Sequence, residues 1–527
     1  MENNINPFGM PPAGEPPVSP QPLPVIPAIP QPLRLPKYTL KPHDSLFAWL
    51  CLPLGVFLMR YIICRTDGFQ ATAFFLLLFV LGEVYVRRCG CRPNRAHALL
   101  GVLICLFSSV FSLTANALLH GLCFLFLVYL SIWRIHAVCG QTGFVTRFFA
   151  ADLRDSAVRS PLRHMDAAPQ ALTDCFRKSG KGAALRSAII GLLVTVPLTA
   201  AVAALLARAD SGIERMLQGM LSLITDDVRV LMLQLMCGIL VGFWLFGGLI
   251  GGAMRADAEL LPDDEAHAAR LAALRVIPNA GLYAAVTPIC LLYLSYVISQ
   301  TGYFLSAFVG KLPKGLNYSE YARRGFFELC AIAVINLIVI LILTGCAKER
   351  QRNGRRVRLL TGYAVVLCCM TLFIIATAFA KMVLYIDAYG LTRLRVYTAW
   401  FMLLLTVVFL VLFIRQFTEK LPTAKVLTAA FVLMFGLLCF SRPDALIAQS
   451  NLQRYAAGTL ADPDIEMLCG LSDDAYVVMA EHRGLLERCG KLEVFEGAAA
   501  YRIGLCEDSP ENGWNLSTLR LRSLMQS

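Results

Sequence analysis

The chain has 527 residues, of which 57% are hydrophobic and only 16% are charged, and its mean hydropathy is +0.61. A water-soluble protein of this length cannot cover so much apolar surface, so we expect most of the chain to lie in lipid. The net charge of +12 is expected to flank membrane helices and not to bind nucleic acid, because the sequence has no basic domain and no nucleic-acid-binding motif.

Most of the 18 cysteines fall inside apolar runs, where a thiol behaves as a small hydrophobic group. Cys89 and Cys91 form a Cys-Gly-Cys pair, but no second pair follows at zinc-binding spacing. The sequence also lacks a nucleotide-binding loop and a nucleophile–base motif. We therefore assign no catalytic residue, cofactor or metal ligand, and leave open whether the protein is an enzyme.

Residues 1–45 are predicted to form a proline-rich, disordered cytoplasmic tail. Half of the 26 prolines of the chain lie before residue 43, and proline at this density favours an extended polyproline conformation over a packed core. The tail is interpreted as a spacer, with binding to a protein partner as the alternative.

Residues 46–442 are predicted to form an all-α polytopic membrane domain. Apolar runs of about 17–25 residues, the length that crosses the hydrocarbon core, recur through this region and predict about eleven transmembrane helices. They lie near residues 46–64, 69–86, 96–114, 116–133, 185–207, 229–252, 277–299, 326–346, 360–386, 394–414 and 424–441. Only Thr114 and Ala115 separate the third and fourth runs, so these either form a tight hairpin or the count is off by one.

Lysine and arginine are concentrated in alternate loops, namely residues 87–95, 134–181 and 348–358. By the positive-inside rule these loops and the N-terminus are predicted to be cytoplasmic. An odd number of helices then places residues 443–527, the C-terminal segment, on the extracytoplasmic side. This segment is soluble in composition and is predicted to be a small, mainly helical domain that is a second candidate for partner binding. Ser472 is a plausible N-cap for a helix reaching Leu486.

A charged stretch precedes the predicted helix near residue 326. Tyr318, Tyr321 and Glu328 fall on one helical stripe. Arg324 is four residues from both Glu320 and Glu328, so two carboxylates can share one guanidinium. Ionisable groups at the mouth of a membrane helix are candidates for function.

A second stretch surrounds Tyr389. Gly390 is predicted to end one helix and Thr392 to cap the next. Arg393 and Arg395 then lie in the first helical turn, where exposed amides and two guanidinium groups can bind an anion such as a lipid phosphate. The interpretation we favour is that both arginines anchor the helix at the membrane interface.

A third stretch follows the last predicted membrane helix and places Asn451 and Arg454 along one helical face. In the predicted topology all three stretches lie on the outer side, which allows a single composite surface that we call the candidate seam. The candidate seam comprises Tyr318, Glu320, Tyr321, Arg324, Glu328, Tyr389, Thr392, Arg393, Arg395, Asn451 and Arg454.

These motifs resemble a known family. Tyr318-Ser-Glu-Tyr-Ala-Arg-Arg-Gly-Phe-Phe-Glu-Leu, Tyr389-Gly-Leu-Thr-Arg-Leu-Arg-Val-Tyr and Asn451-Leu-Gln-Arg-Tyr, followed by Leu471-Ser-Asp-Asp-Ala and Trp514-Asn-Leu-Ser, are similar to motifs of the DUF4173 family. These are uncharacterised bacterial membrane proteins related to DUF4153. The resemblance covers roughly the last two-thirds of the chain. It implies a many-helix fold in the bacterial plasma membrane and no catalytic residue or substrate.

Three functions remain open. The one we favour is a non-catalytic accessory or signalling component of the bacterial envelope. The first alternative is a transporter or flippase of a small or lipid-linked anionic substrate, because Glu83, His120 and Lys381 lie in or near apolar runs, where ionisable groups are costly. The second alternative is a lipid-phosphate-dependent transferase, with a glutamate of the candidate seam as base and one of its arginines holding phosphate.

Overall fold

The computed structural model describes residues 40–63, 68–140, 145, 153–174, 226–253, 269, 272–308, 326–348, 357–418, 421–508 and 515–526, with scattered positions between 188 and 208. The chain divides into two units, Met1–Thr39 and Leu40–Ser527. The first unit, and with it nearly all of the predicted proline-rich tail, lies outside the described residues.

The described part of the second unit is helical, and its only β-structure is an isolated parallel bridge between Ile277 and Ala347. Ten helices lie in the described part of the apolar region: α1 (Pro42–Ile63), α2 (Gly68–Arg88), α3 (Arg95–Leu113), α4 (Ala117–Cys139), α5 (Asp226–Ala253), α6 (Asn279–Phe308), α7 (Phe326–Gly345), α8 (Arg358–Tyr389), α9 (Arg393–Phe417) and α10 (Thr423–Phe440). Short helical turns at Asp155–Arg159, Ser160–Arg163 and Ala167–Asp174 stand between α4 and α5.

Nine helices of the described residues, all of these ten except α7, are long and apolar enough to cross a membrane. The apolar part of α7 for which side chains are described is the shorter run Ala331–Gly345. This confirms the predicted all-α polytopic membrane fold. The predicted helix at 185–207 falls largely outside the described residues, so the total of about eleven stays a prediction.

The third and fourth predicted membrane helices are two separate helices joined by a tight turn. Helix α3 ends at Leu113 and α4 begins at Ala117. In the turn, Asn116 accepts a hydrogen bond from the Leu119 amide at 3.1 Å, which caps the first turn of α4. Of the two sequence alternatives, the structure shows the tight hairpin.

Glycines allow α1 and α5 to pack backbone against backbone. A Cβ added at Gly55 would lie 2.3 Å from the carbonyl oxygen of Gly238, and one added at Gly242 would lie 2.8 Å from that of Cys51. Small residues at a helix crossing maximise van der Waals contact where lipid leaves no hydrophobic driving force.

Helices α6 to α9 share a separate buried cluster that includes Leu367 and Phe409. A chain of polar side chains crosses it: the Tyr293 hydroxyl donates to Asn336 Oδ1 at 2.6 Å, and Asn336 Nδ2 donates to Thr371 Oγ1 at 2.8 Å. All three side chains are buried. Satisfied polar groups of this kind join membrane helices to one another.

The described C-terminal segment is also helical, in agreement with prediction. It contains α11 (Pro443–Ala456), α12 (Ile465–Cys469), α13 (Asp473–Glu481), α14 (Arg483–Arg488), α15 (Leu492–Asp508) and α16 (Leu516–Gln526). Its own core contains Leu468, Tyr476 and Phe495. Ser472 stands at the N-cap of α13 without a capping hydrogen bond from its side chain. The helix expected to reach Leu486 instead ends at Glu481.

Candidate functional site at the root of the C-terminal segment

The turn between α8 and α9 has the conformation that its sequence predicts. Gly390 adopts φ 74° and its amide donates to the Ile386 carbonyl at 2.8 Å, which ends α8. The Thr392 side chain accepts a hydrogen bond from the Arg395 amide and caps α9. A side chain at residue 390 is excluded twice, because its backbone is left-handed and a Cβ would lie 2.7 Å from Asn451 Oδ1.

Helix α11 is hydrogen-bonded to this turn by the two polar residues that were predicted to share a face. Asn451 accepts from the Leu391 amide at 2.7 Å and donates to the Leu391 carbonyl at 2.9 Å. Arg454 donates to the carbonyls of Ile386 at 2.9 Å and Asp387 at 2.6 Å. A guanidinium is favourable there, because the last carbonyls of a helix carry a partial negative charge.

Arg395 belongs to α9 but turns back toward the end of α8. Its guanidinium donates to the Tyr389 carbonyl at 3.0 Å and lies 3.9 Å from the ring centroid of Tyr385. Carbonyl contacts and a cation–π contact together offset the unfavourable position of a cation at the start of a helix.

Arg393 forms a bidentate ion pair with Asp444 in the first turn of α11. The two hydrogen bonds measure 2.6 Å from Nη2 and 3.1 Å from Nε. Asp444 is fully buried and also accepts from the Ser472 amide at 3.1 Å. One carboxylate thus connects α9, α11 and the start of α13.

Asp474 is a second fully buried carboxylate, and it connects the C-terminal segment to the α3–α4 hairpin. Arg442 donates to it at 3.0 Å, the Ala115 amide at 3.3 Å, and the hydroxyls of Thr114 and Ser517 donate as well. Charge-assisted bonds of this kind are stronger than neutral ones. The contacts join α13 and α16 to two different turns of the membrane helices.

The backbone of Arg442 is left-handed, with φ 50°, a conformation that costs a non-glycine residue about 1–2 kcal/mol. Its guanidinium also donates to the Ser517 hydroxyl at 2.8 Å. The contacts to Asp474 and Ser517 offset the backbone strain and fix the direction in which the chain leaves α10.

The remaining motif residues hold the C-terminal segment together internally. Asp473 accepts from Arg502 at 2.7 Å and from the Thr518 hydroxyl. Asn515 caps α16 by accepting from the Thr518 amide at 3.0 Å. Burial is the largest cause that raises the pKa of Tyr476 to about 12, so this phenol stays protonated in the core.

The structure describes the side chains of six of the eleven candidate seam residues. These six, Tyr389, Thr392, Arg393, Arg395, Asn451 and Arg454, lie at or beside the α8–α9 turn and α11. Tyr318, Glu320, Tyr321 and Arg324 lie outside the described residues, and only the backbone of Glu328 is described. The part of the candidate seam contributed by residues 315–329 therefore stays a prediction.

Sequence reasoning missed the residues at the centre of this site, Asp444, Asp474, Arg442 and Thr114. A signal existed for each carboxylate: Asp444 follows Arg442-Pro at a helix start, and Asp474 lies in the Leu471-Ser-Asp-Asp-Ala motif. Neither position shows from sequence alone that it is buried.

The chemistry of the site follows from how its charges are matched. Arg393 and Arg442 face buried carboxylates, while Arg395 and Arg454 face backbone carbonyls. The positive charge is therefore directed at the protein's own acceptors. Among the described residues no group of three or more His, Cys, Asp or Glu side chains is arranged to hold a metal ion. The arrangement is suited to fastening two parts of one chain.

Comparison with known proteins adds one match. A family model described as Domain of unknown function (DUF4153) matches residues 101–482. The matched region runs from within α3 to the residue after α13 and includes both buried carboxylates. No curated protein and no solved structure matches the chain.

Proposed function

Because that match spans more than half of the chain, the protein belongs to the DUF4153 family, and we propose that it is a non-catalytic accessory or signalling component of the bacterial envelope. The proposal rests on one observation: the polar residues at the root of the C-terminal segment form the hydrogen bonds and ion pairs that join this segment to the membrane helices. In this role the C-terminal segment contacts a partner protein. The hydrogen bonds and ion pairs that connect the segment to the membrane helices, which we call the joint, transmit this contact.

The contacts that Arg393 and Arg395 make within the protein favour this role over a lipid-phosphate-dependent transferase. A phosphate that took the Nη2 and Nε donors of Arg393 would displace Asp444, whose carboxylate is fully buried. Leaving that charge unpaired in the interior costs about 3–5 kcal/mol. Arg395 is similarly engaged by Tyr389 and Tyr385.

The proposed location is the bacterial plasma membrane, with the N-terminus cytoplasmic and the C-terminal segment outside. The C-terminal segment contacts two turns, the α3–α4 turn at Thr114 and the α8–α9 turn at Leu391. The arginine-rich loop 87–95 lies at the opposite end of α2 and α3, which suits a cytoplasmic loop. The finer resemblance to DUF4173 supports the bacterial location. The proline-rich tail is the second candidate for partner contact.

Site-specific photo-crosslinking in living cells tests the accessory role. A photoreactive amino acid replaces Tyr501, which is 69% exposed on the C-terminal segment, and in a matched control it replaces Leu125, which is 66% exposed on the membrane helix α4. The proposal predicts a discrete protein adduct from position 501 and none from position 125. Equal adducts from both positions would contradict it, as would purified protein that drives solute flux across proteoliposomes without any partner.

A transporter or flippase is the second candidate, because an ion pair joins two of the described membrane helices. Arg134 of α4 is 2.5 Å from Glu83 of α2, and Glu83 also contacts Arg87 at 2.7 Å. Ionisable groups at such positions are characteristic of transport pathways. If this candidate is right, Glu83→Gln abolishes flux of an anionic solute into proteoliposomes while the protein remains monodisperse. If the ion pair only packs the helices, Glu83→Gln lowers stability, and neither the wild type nor the variant drives flux.

A further inference from the structure

An open groove of about 230 Å³ runs between α1 and α2. Its walls are apolar and face away from the protein interior: Leu46 is 59% exposed, Leu77 57% and Val80 52%. Such side chains at four-residue and three-residue spacing form continuous stripes along their helices. Phe47 also lines the groove; it is buried and packs edge-on against Tyr85 with ring centroids 4.8 Å apart.

The groove has one polar end. His43 and Arg88 line it there, beside Cys89, whose Sγ lies 3.7 Å from His43 Nε2. The Tyr85 hydroxyl donates to the buried Asp44 at 3.0 Å, which holds the two helices together at this end. The groove therefore combines apolar walls with one basic end, which we call its mouth.

Arg88 differs from its neighbour Arg87 in how its charge is matched. Arg87 forms an ion pair with Glu83 at 2.7 Å. Arg88 is exposed and forms no ion pair with any residue of the described ranges. Its guanidinium is available to an external anion at the boundary between hydrocarbon and water.

We propose that this groove binds an anionic phospholipid, with an acyl chain along Leu46, Leu77 and Val80 and the lipid phosphate at Arg88. The apolar walls are exposed on two helices that are long and apolar enough to cross a membrane, so an acyl chain is the occupant that matches them. The basic mouth selects negative charge, and a guanidinium binds phosphate oxygens in pairs. A free phosphate would use only the mouth and leave the walls uncovered. This inference does not depend on the proposed accessory role.

Native mass spectrometry of the full-length protein, released from a neutral detergent, tests the proposal. Phosphatidylglycerol, phosphatidylcholine and inorganic phosphate are the three probes. Wild-type protein is expected to retain phosphatidylglycerol preferentially, and Arg88→Gln is expected to weaken its binding about fivefold, the loss of one cation near a lipid phosphate. Arg87→Gln, which removes the same charge one residue away, is expected to bind like wild type.

A second variant separates the walls from the mouth. Val80→Trp fills the groove and is expected to reduce retention of both lipids while leaving Arg88 in place. The proposal is overturned if Arg87→Gln and Arg88→Gln lose the same amount of lipid, if Val80→Trp binds phosphatidylglycerol like wild type, or if inorganic phosphate competes with the lipid at equal concentration.

Discussion

Removing the Arg442 guanidinium is the sharpest perturbation of the joint between the C-terminal segment and the membrane helices. Arg442→Ala leaves Asp474, which is 0% exposed, without its cationic partner. Breaking a buried ion pair in this way costs about 3–5 kcal/mol. We expect about 3 kcal/mol, the lower end of that range, because the hydroxyls of Thr114 and Ser517 still donate to the carboxylate.

Backbone strain at the same residue provides an internal control. Arg442 has φ 50°, which glycine adopts readily, so Arg442→Gly should be about 1 kcal/mol more stable than Arg442→Ala. Both variants lose the same guanidinium. A difference of the opposite sign would show that the left-handed conformation is not retained.

The assay is a double-mutant cycle on the detergent-solubilised protein, with the C-terminal segment monitored by limited proteolysis. Asp474→Asn alone should cost about 1.5–3 kcal/mol, because Arg442 can then turn toward water. The double variant should be less destabilised than the sum of both single variants. Arg520→Ala is the matched control, since its pair with Glu481 is exposed on both sides and worth less than about 1 kcal/mol. The reasoning is refuted if Arg442→Ala behaves like Arg520→Ala, or if the cycle is additive.

Three further results are expected. Burial, followed by the charge of Asp44, raises the pKa of Cys89 to about 11. Alkylation of this thiol, measured by peptide mass spectrometry, should therefore be slow at pH 8, accelerate up to about pH 11 and become faster in Asp44→Asn. A rate that is already maximal at pH 8 would contradict this. Asn336→Ala should destabilise the membrane helices by about 1–2 kcal/mol in a thermal assay, and adding Tyr293→Phe should cost little more; independent losses would mean that the two side chains are not coupled. A C-terminal alkaline phosphatase fusion should be active and the matching green fluorescent protein fusion dark, whereas the reverse pattern would place the C-terminus inside.

Features that depend on local chemistry could be predicted from the sequence. Apolar length alone located the ten helices described in the apolar region, and turn chemistry predicted that Gly390 ends α8 and Thr392 caps α9. The short connection at Thr114 offered the hairpin of α3 and α4 as one of two alternatives, and the structure shows it. Each of these is encoded within a few consecutive residues.

Features that depend on contacts between distant residues could not be predicted. Asp474 and Thr114 are 360 positions apart, and Arg393 and Asp444 are 51 apart. A single sequence contains no signal for such pairs. An aspartate at a helix start is normally solvated and stabilised by the helix dipole, so its presence there does not indicate a distant partner. For the same reason Arg393 suggested an anion site, although its anion is supplied by the chain itself.

The central claim is that these polar residues fasten the C-terminal segment to the membrane helices. The amide of Leu391 reports on this joint directly, because its hydrogen bond goes to Asn451 across the contact. Hydrogen exchange of the protein in lipid nanodiscs should show a peptide containing Leu391 and the amides of α11 protected in wild type. They should exchange about 10–150-fold faster in Asp444→Asn, the effect of losing about 1.5–3 kcal/mol when Arg393, which is 37% exposed, is left to turn toward water. Unchanged protection in that variant would contradict the account.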